Sequence, residues 1–392
     1  MLGVINKYLA TYAEEEIQSI DFPEGSFDHA LVIPAYNEDA SFLDAIRLQR
    51  DPNLLFIAVI NKPESAAHPA SKNTLQLLQE LQSKNHRNLL IIDRVTRPIP
   101  SKEGVGLARK IGTDIAVQLY ASGKVKSPWI RQTDADASLD DRYLKVAMPA
   151  KGAVVFSHKH MSANTLVANA SVLYDAHMSY YVEALRSQHS FFAFPTLGST
   201  IAVHAKSYAE VRGYPKRNAG EDFYLLNKIA KSSGVIYSKS SLVTIQARLS
   251  ERVPFGTGPA LRKIVDQLTL DPSGKSFLSY DYNSFILLGK ALQQLHYFAE
   301  SPIEFESQIN SILTTLGFLK IGAKLHKKSR SQKQRHFVLN QWFDGFRTMR
   351  FIHEARTIYP DKSLLTTMSE LPEEVRHEIL IKNPEMKGLL TI

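Results

Sequence analysis

Short apolar runs alternate with amphipathic segments over the first third of the chain. The apolar runs, whose lengths are typical of buried strands, lie at residues 30–33, 53–60, 89–93 and 129–133. The segments between them, which have the apolar spacing of helices, lie at residues 41–50, 71–84 and 103–122. This alternation predicts an α/β fold in which a parallel sheet carries helices on both faces.

Segments that contain polar side chains follow three of the predicted strand ends. They lie at residues 34–38, at Asn61 and at residues 134–136. In open α/β sheets, ligands bind beyond the carboxyl ends of the strands. We therefore expect these residues to share one rim of the sheet.

The pattern changes after residue 255. Turn-forming residues at 257–259 and 271–274 are followed by helical patterns at 285–298, 303–319 and 334–355. The chain has 392 residues, enough for two folded units. We predict an α/β domain over residues 1–255 and a mainly helical region over residues 256–392.

Charge and cysteine content narrow the possible partners. The formal charge of +8 favours anionic partners such as nucleotide phosphates, although a solvated basic surface has the same composition. We expect no nucleic-acid partner. The absence of cysteine excludes disulfides and thiolate zinc sites, and it fits a reducing cytoplasm.

The sequence predicts no membrane span and no signal peptide, so we expect a cytoplasmic protein. No apolar run approaches the ~20 residues needed to cross a bilayer, and residues 1–20 lack a basic start and an apolar core. Residues 320–335 are rich in lysine and arginine. A solvated linker or helix face explains them, and peripheral contact with an anionic membrane is the alternative.

Two carboxylates stand at the end of the fourth predicted strand. Asp134 and Asp136 are two residues apart, so in extended backbone they point the same way. Nearby carboxylates repel unless a cation lies between them or one takes up a proton. Their oxygens suit Mg²⁺ or Mn²⁺. Solvated turn residues or helix caps are the alternative.

Four elements follow one another along the chain, at residues 33–38, 102–109, 133–136 and 220–223. Their order and spacing resemble the GT-A fold glycosyltransferases, most closely family 2. The resemblance covers residues 28–250. It implies a Rossmann-like, mostly parallel sheet flanked by helices, with a helical region after it. It also implies metal-dependent transfer of a sugar from a UDP- or GDP-sugar to an acceptor hydroxyl, with Mn²⁺ or Mg²⁺ as cofactor.

The resemblance assigns the donor site to two segments. The residues expected at the base and ribose are Pro34, Ala35, Tyr36, Asn37 and Glu38. The residues expected near the diphosphate are Lys102, Gly104, Gly106 and Arg109, since glycines allow close approach and cations balance charge. For the glycines alone, a turn that opens a helix is the favoured alternative.

The resemblance assigns the remaining roles to carboxylates and a turn. Asp136 is expected to bind the metal directly, and Asp134 to bind the metal, its water or the ribose. Asp222 is expected to deprotonate the acceptor, with Glu221 as second choice. Acidic residues at a helix start are the alternative, and both interpretations can hold at once. The turn at Gly198 and Ser199 is expected to line the acceptor pocket.

The sequence leaves the roles of two segments of the donor site undecided. Arg248 and Arg252 lie in a loop that we expect either to cover the diphosphate or to serve as an interdomain linker. Many family 2 members carry an acidic pair after the second strand, where this chain has Asn61-Lys62-Pro63-Glu64. Asn61 or Asp93 is expected to take over contact with the base.

Three functional hypotheses remain. A glycosyltransferase that inverts the sugar through a carboxylate base is the first, although retaining enzymes carry a similar Asp-x-Asp. A sugar-phosphate nucleotidyltransferase is the second, which pyrophosphate release would reveal. A non-catalytic nucleotide-sugar-binding protein is the third, which donor binding without turnover would reveal.

Overall fold

The computed structural model describes residues 2–21, 23–45, 51–84, 86–250, 256–329 and 331–390. Contacts divide the chain into two compact units. The first comprises Met1–Ser162 and Thr196–Pro259, and the second comprises Ala163–Pro195 and Ala260–Ile392. The sequence-based division at residue 255 had placed residues 163–195 in the first region. That division into domains stays a prediction.

An eight-stranded sheet forms the centre of the first unit. Its strands are β1 His29–Ala35, β2 Leu54–Pro63, β3 Leu89–Ile99, β4 Trp129–Gln132, β5 Ala137–Leu139, β6 Ala153–Met161, β7 Ile201–His204 and β8 Val235–Gln246. Their order across the sheet is β3-β2-β1-β4-β7-β6-β8-β5. The four apolar runs predicted as strands are β1 to β4.

The sheet is mixed rather than purely parallel, although six of the eight described strands run in one direction. Strands β3, β2, β1 and β4 are parallel neighbours, as are β6 and β8. Strand β7 runs antiparallel to both β4 and β6, and β5 runs antiparallel to β8. A short buried strand has the same apolar pattern in either direction, so the sequence carried no signal for this reversal.

Three of the helices around this sheet correspond to the helices predicted at residues 41–50, 71–84 and 103–122. Those of the first unit are α1 Leu2–Thr11, α2 Phe42–Ala45, α3 His68–Ser83, α4 Gly104–Ala121, α6 Ala205–Glu210 and α7 Glu221–Ser232. The helix predicted at residues 41–50 begins at Phe42, and residues 46–50 lie outside the described residues. Helix α4 matches its predicted bounds within one residue at each end.

One face of the sheet is buried under α3. Leu31 and Ile33 of β1 alternate with residues on the opposite face, and Phe56 and Ala58 of β2 lie in the same apolar cluster. Leucines of α3, including Leu78, complete that cluster. Burial of β1 and β2 on both faces fixes their register, and with it the rim where their carboxyl ends meet.

A buried polar cluster fixes α4 to the N-terminal helix. Asp114 of α4 accepts hydrogen bonds from the hydroxyls of Tyr8 and Tyr208, at 2.5 and 2.9 Å. Lys110, one turn earlier, lies with its Nζ 2.6 Å from the other Asp114 oxygen. Because this cluster holds both charges away from water, α4 has a fixed position against α1 and α6.

The second unit is mainly helical. Its helices are α5 Thr165–Ser187, α8 Thr257–Leu270, which begins at the boundary, α9 Tyr282–Glu300, α10 Ser307–Thr315, α11 Phe318–Lys328, α12 Gln332–Trp342, α13 Gly345–Ala355, α14 Leu364–Glu370, α15 Glu373–Lys382 and α16 Met386–Leu390. A two-stranded ribbon pairs β9 Leu278–Ser279 with β10 Lys362–Ser363. No helix within the described part of the chain combines the length and apolarity of a membrane span.

Candidate functional site

The carboxyl ends of β1 and β4 place two of the sequence motifs at one edge of the sheet. The two strands are parallel neighbours, with Val32 opposite Gln132. The chain leaves β1 towards Glu38 and leaves β4 towards Asp134 and Asp136. Glu221 at the start of α7 and Arg248 after β8 reach the same edge through the ion pairs described next.

Arg248 bridges Glu38 and Asp136. Its guanidinium donates to both oxygens of Glu38, at 2.9 and 2.7 Å, and to Oδ2 of Asp136 at 2.6 Å. The Arg248 side chain is 31% exposed, whereas those of Glu38 and Asp136 are 13% and 19% exposed. The two-oxygen contact with Glu38 gives the bridge a fixed geometry.

Arg109 forms a second bridge, between Asp134 and Glu221. Its Nη2 donates to Oδ1 of Asp134 at 2.6 Å, and its Nε donates to Oε1 of Glu221 at 2.9 Å. Arg109 and Glu221 are almost fully buried, while the Asp134 side chain is 33% exposed. The sequence placed Arg109 near the diphosphate as a balancing charge, but here it connects two carboxylates.

Gly198 lies directly against the guanidinium of Arg109. A Cβ atom at this position would stand 2.3 Å from Arg109 Nη2 and 2.6 Å from its Cζ. Hydrogen bonds at both ends of the guanidinium leave it little freedom to move away. Gly198 and the buried Ser199 were expected to line an acceptor pocket, and the geometry gives Gly198 a further role in admitting Arg109.

Two carboxyl groups at this site hold their protons more strongly than usual. Burial raises the pKa of Asp134, and the nearby Asp136 and Glu221 add to this, while Arg109 opposes it. Burial, followed by the charge of Glu221, raises the pKa of Asp222 to about 7. A carboxyl group with that pKa is matched to proton transfer near neutral pH.

Glu221 and Asp222 differ in accessibility. Glu221 is 4% exposed and is committed to Arg109, so its carboxylate serves to hold that arginine. Asp222 is partly exposed, and its Oδ1 accepts a hydrogen bond from the backbone N–H of Phe223 at 2.7 Å. Of the pair predicted as base, Asp222 is therefore the more exposed residue.

The segment after β1 is only partly open to a ligand. Pro34 and Ala35 are buried within the strand, so the accessible part begins at Tyr36. Asn37 has a positive φ of 56°. Its backbone N–H donates to Thr74 of α3, and its side-chain oxygen accepts from Asn73. These contacts fix the loop that carries Glu38.

Asn61 and Asp93 were alternative candidates for contact with a base. Asn61 is 6% exposed, and its Oδ1 is buried with no hydrogen-bond partner among the described residues. Asp93 accepts hydrogen bonds from Val95 and Thr96 within its own turn, and these lower its pKa against the opposing effect of burial. Of the two side chains, only Asn61 has an oxygen without a hydrogen-bond partner among the described residues. Such a buried acceptor is energetically costly, so a ligand that donates a hydrogen bond to it would be stabilising.

The glycines at the start of α4 have a packing role. The N–H of Gly106 donates to the carbonyl of Arg217 at 2.9 Å, so it is not available to a phosphate. A Cβ at Gly104 or Gly106 would stand within 2.6 Å of backbone atoms of Asn218 or Arg217. The favoured alternative, a turn opening a helix, therefore agrees with the structure. Lys102 is exposed just before this turn.

The carboxylates of the rim suit a hard divalent ion. Mg²⁺ and Mn²⁺ commonly take one or two protein carboxylates and complete their shell with water and substrate phosphates. Asp136 and Asp134 offer such oxygens two residues apart. Arg109 and Arg248 bridge four carboxyl groups, those of Glu38, Asp134, Asp136 and Glu221. When all four are ionised, the rim carries a net negative charge that attracts a cation.

Arg252 lies outside the described residues, so its predicted contact with a diphosphate has no structural counterpart here. The bridging roles of Arg109 and Arg248 were not predicted. Neither has a local signal, because each bridge joins residues far apart in sequence. Arg109 and Glu221 are 112 residues apart, and Arg248 and Glu38 are 210 residues apart.

Comparison with known proteins gives a weak structural match. No family model matches the chain, and no curated protein sequence is significantly similar. Among solved structures, the chain is similar to GalNAc-T7 crystallised with UDP, GalNAc and Mn²⁺, at a TM-score of 0.37 and 13% identity. The match covers 89% of this chain and 61% of that chain, which is less than two thirds of its length. At this similarity, the function must be argued from the site itself.

Proposed function

We propose that this chain is a glycosyltransferase of the GT-A type, which moves a sugar from a nucleotide-diphosphate sugar to an acceptor hydroxyl. One observation carries the proposal. Motifs from four distant parts of the chain meet at one rim of the sheet. There Arg109 and Arg248 form ion pairs with four carboxyl groups. The rim lies beyond the carboxyl ends of parallel strands, where α/β sheets bind nucleotides.

Asp222 is the proposed general base. Its pKa of about 7 lets the carboxylate accept a proton from the acceptor hydroxyl at neutral pH. The hydroxyl oxygen then attacks the anomeric carbon of the donor, and the bond from that carbon to the diphosphate breaks. Attack from the face opposite the diphosphate inverts the anomeric centre, which fits a separate base and leaving-group site.

Donor binding falls to the residues around Asp136. Tyr36 and Glu38 are proposed to hold the base and ribose, and Asn61 to satisfy its buried oxygen on the base. Asp136, with Asp134, would hold Mn²⁺ or Mg²⁺, which as a Lewis acid stabilises the departing diphosphate. A UDP- or GDP-sugar is the proposed donor. The family 2 assignment belongs to this proposal.

Calorimetry with UDP, GDP, ADP and CDP, with and without Mn²⁺, tests donor binding. We expect metal-dependent binding that selects one base and that Asp136→Asn reduces at least ten-fold. Asp141→Asn is the matched control, since Asp141 is exposed and nearby. Equal binding by the Asp136→Asn variant would overturn the assignment of that residue.

Transfer itself is tested with the sugar form of the selected nucleotide. We expect release of the nucleoside diphosphate, with Asp222→Asn slowing it by about 100-fold or more while nucleotide binding stays intact. Release of pyrophosphate from a nucleoside triphosphate would instead identify a nucleotidyltransferase. Donor binding without turnover across a broad acceptor panel would identify a binding protein.

A further inference from the structure

A cluster of potential metal ligands lies in the second unit, on two neighbouring helices. His296 and Glu300 belong to α9, and His336 belongs to α12. One ligand atom from each residue lies within 4.8 Å of the other two. Nothing in the proposed transfer reaction uses these residues.

The arrangement on α9 puts two of the ligands on one face. His296 and Glu300 are four residues apart, which brings their side chains to neighbouring positions one helical turn apart. Nε2 of His296 lies 3.7 Å from Oε1 of Glu300. The side chains are 59% and 45% exposed, so an ion can reach them from solvent.

Helix α12 brings the third ligand to the same place. The imidazole rings of His296 and His336 have their centroids 4.5 Å apart. Gln332, one turn before His336, donates to Oε1 of Glu300 at 2.9 Å. Arg335 donates to the backbone carbonyls of Ala299 and Glu300. These contacts hold α9 and α12 together beside the three candidate ligands.

We propose that His296, Glu300 and His336 bind a zinc ion that connects α9 to α12. Two imidazoles and a carboxylate are a common zinc ligand set, with water in the fourth position. Ligand atoms in a tetrahedral zinc site lie about 3.4 Å apart, given metal–ligand bonds of about 2.0–2.1 Å. The three atoms are therefore within about 1–1.5 Å of their bound spacing.

The proposed ion would use the carboxylate of Glu300, whose Oε1 accepts a hydrogen bond from Gln332. The ion would displace the Gln332 hydrogen bond and hold α12 to α9, and this role is independent of the proposed transferase activity.

Calorimetric titration of the chelator-treated full chain with Zn²⁺ at pH 7.4 tests the site. We expect one zinc ion bound with a dissociation constant in the micromolar range. His296→Ala and His336→Ala should each weaken that binding at least ten-fold. His377→Ala is the matched control, because His377 is an exposed helical histidine of the same unit, and it should leave binding unchanged.

A second ion and a second variant separate this site from the rim carboxylates. Co²⁺ bound at the cluster should give a visible absorption band that Glu300→Gln alters and Asp136→Asn leaves unchanged. Far-ultraviolet circular dichroism checks that each variant is folded. Zinc binding that survives both single histidine substitutions in folded protein, or that only Asp136→Asn removes, would overturn the proposal.

Discussion

Nη2 of Arg248 lies 2.6 Å from Oδ2 of Asp136, so the carboxylate expected to bind a metal is already paired with a cation. The same guanidinium contacts both oxygens of Glu38. A divalent ion bound at Asp136, as proposed, would therefore compete with Arg248 for that carboxylate. Release of Arg248 from Asp136 would also free its charge for a diphosphate.

The variant Arg248→Ala should separate the effect of Arg248 on metal binding from its effect on nucleotide binding. Without the competing guanidinium, we expect tighter Mn²⁺ binding in the absence of nucleotide, because Asp136 and Glu38 are then left without a compensating charge. We also expect affinity for the nucleoside diphosphate to fall by about ten-fold or more, as for loss of a charge-assisted contact. Calorimetry measures both.

Arg142→Ala is the control for this experiment, since Arg142 is 68% exposed and pairs with a carboxylate outside the rim. It should change neither affinity. Unchanged Mn²⁺ affinity in Arg248→Ala would contradict the competition between Arg248 and the ion.

The raised pKa of Asp222 predicts the pH dependence of activity. A base must be deprotonated to accept a proton, so kcat/KM should rise with pH and level off above an inflection near 7. Asp222→Asn should remove this inflection along with most of the activity. If kcat/KM of the wild type did not change between about pH 5.5 and 8.5, this would contradict the assignment of Asp222 as the base.

The same pKa predicts an effect of opposite sign on stability. The folded-state pKa of Asp222 lies above its ordinary value of 3.8, so folding takes up a proton in this range. Its contribution to stability is full below pH 3.8 and is lost as pH rises through about 7. At pH 8, Asp222→Asn should unfold at a higher urea concentration than the wild type, because its free energy of unfolding is larger by on the order of 1 kcal/mol. Asp141→Asn should not.

Removal of Arg109 should be strongly destabilising. Arg109→Met leaves the buried Glu221 and the partly buried Asp134 without their cation, and loss of one partner of a buried pair costs about 3–5 kcal/mol. Urea unfolding measures this cost. The double variant Arg109→Met/Glu221→Gln should recover part of it, because one uncompensated charge is gone.

An exposed ion pair provides the comparison for Arg109. Arg97 pairs with Glu15, and both side chains are more than half exposed. Arg97→Met should cost no more than about 1 kcal/mol, as is usual for surface pairs. Similar losses for Arg97→Met and Arg109→Met would contradict the distinction between surface and buried bridges.

Gly198→Ala should disturb Arg109 from the other side. The added methyl group would meet Nη2 and Cζ of the guanidinium, which hydrogen bonds to Asp134 and Glu221 hold in place. We expect a loss of about 1–3 kcal/mol in the free energy of unfolding, as for overpacking. Gly3→Ala is the control, since a Cβ at Gly3 meets nothing within 4 Å. Equal stability of both variants would show that Arg109 can move.

Apolar pattern was sufficient to predict the parallel half of the sheet. Runs such as 30–33 and 129–133 became β1 and β4, because a buried strand must be apolar on both faces. The pattern did not reveal that β7 runs antiparallel, nor that one long helix, α5, fills much of residues 163–195. Strand direction and the assignment of a helix to a unit depend on contacts distant in sequence.

The candidate site shows the same division. Asp134 and Asp136 were selected as a spaced pair of carboxylates after a strand, and Asp222 was selected through the family resemblance; the roles of all three stay predictions. Arg109 was recognised only as a nearby cation, since its partner Glu221 is 112 residues away. Gly106 was given to a phosphate although its N–H belongs to Arg217. Local sequence shows which groups are available, whereas tertiary packing decides which partner each one has.

The two arginine bridges divide the rim into halves that meet at Ala135. Asp134 belongs to the buried half with Arg109, and Asp136 belongs to the more exposed half with Arg248. If the proposed donor binds on the Arg248 side, its exchange would break only the Arg248 bridge, while the Arg109 bridge keeps α4 and α7 together. The proposed base at the start of α7 would then keep its orientation during donor exchange, and separate substitutions would alter acceptor recognition and nucleotide release.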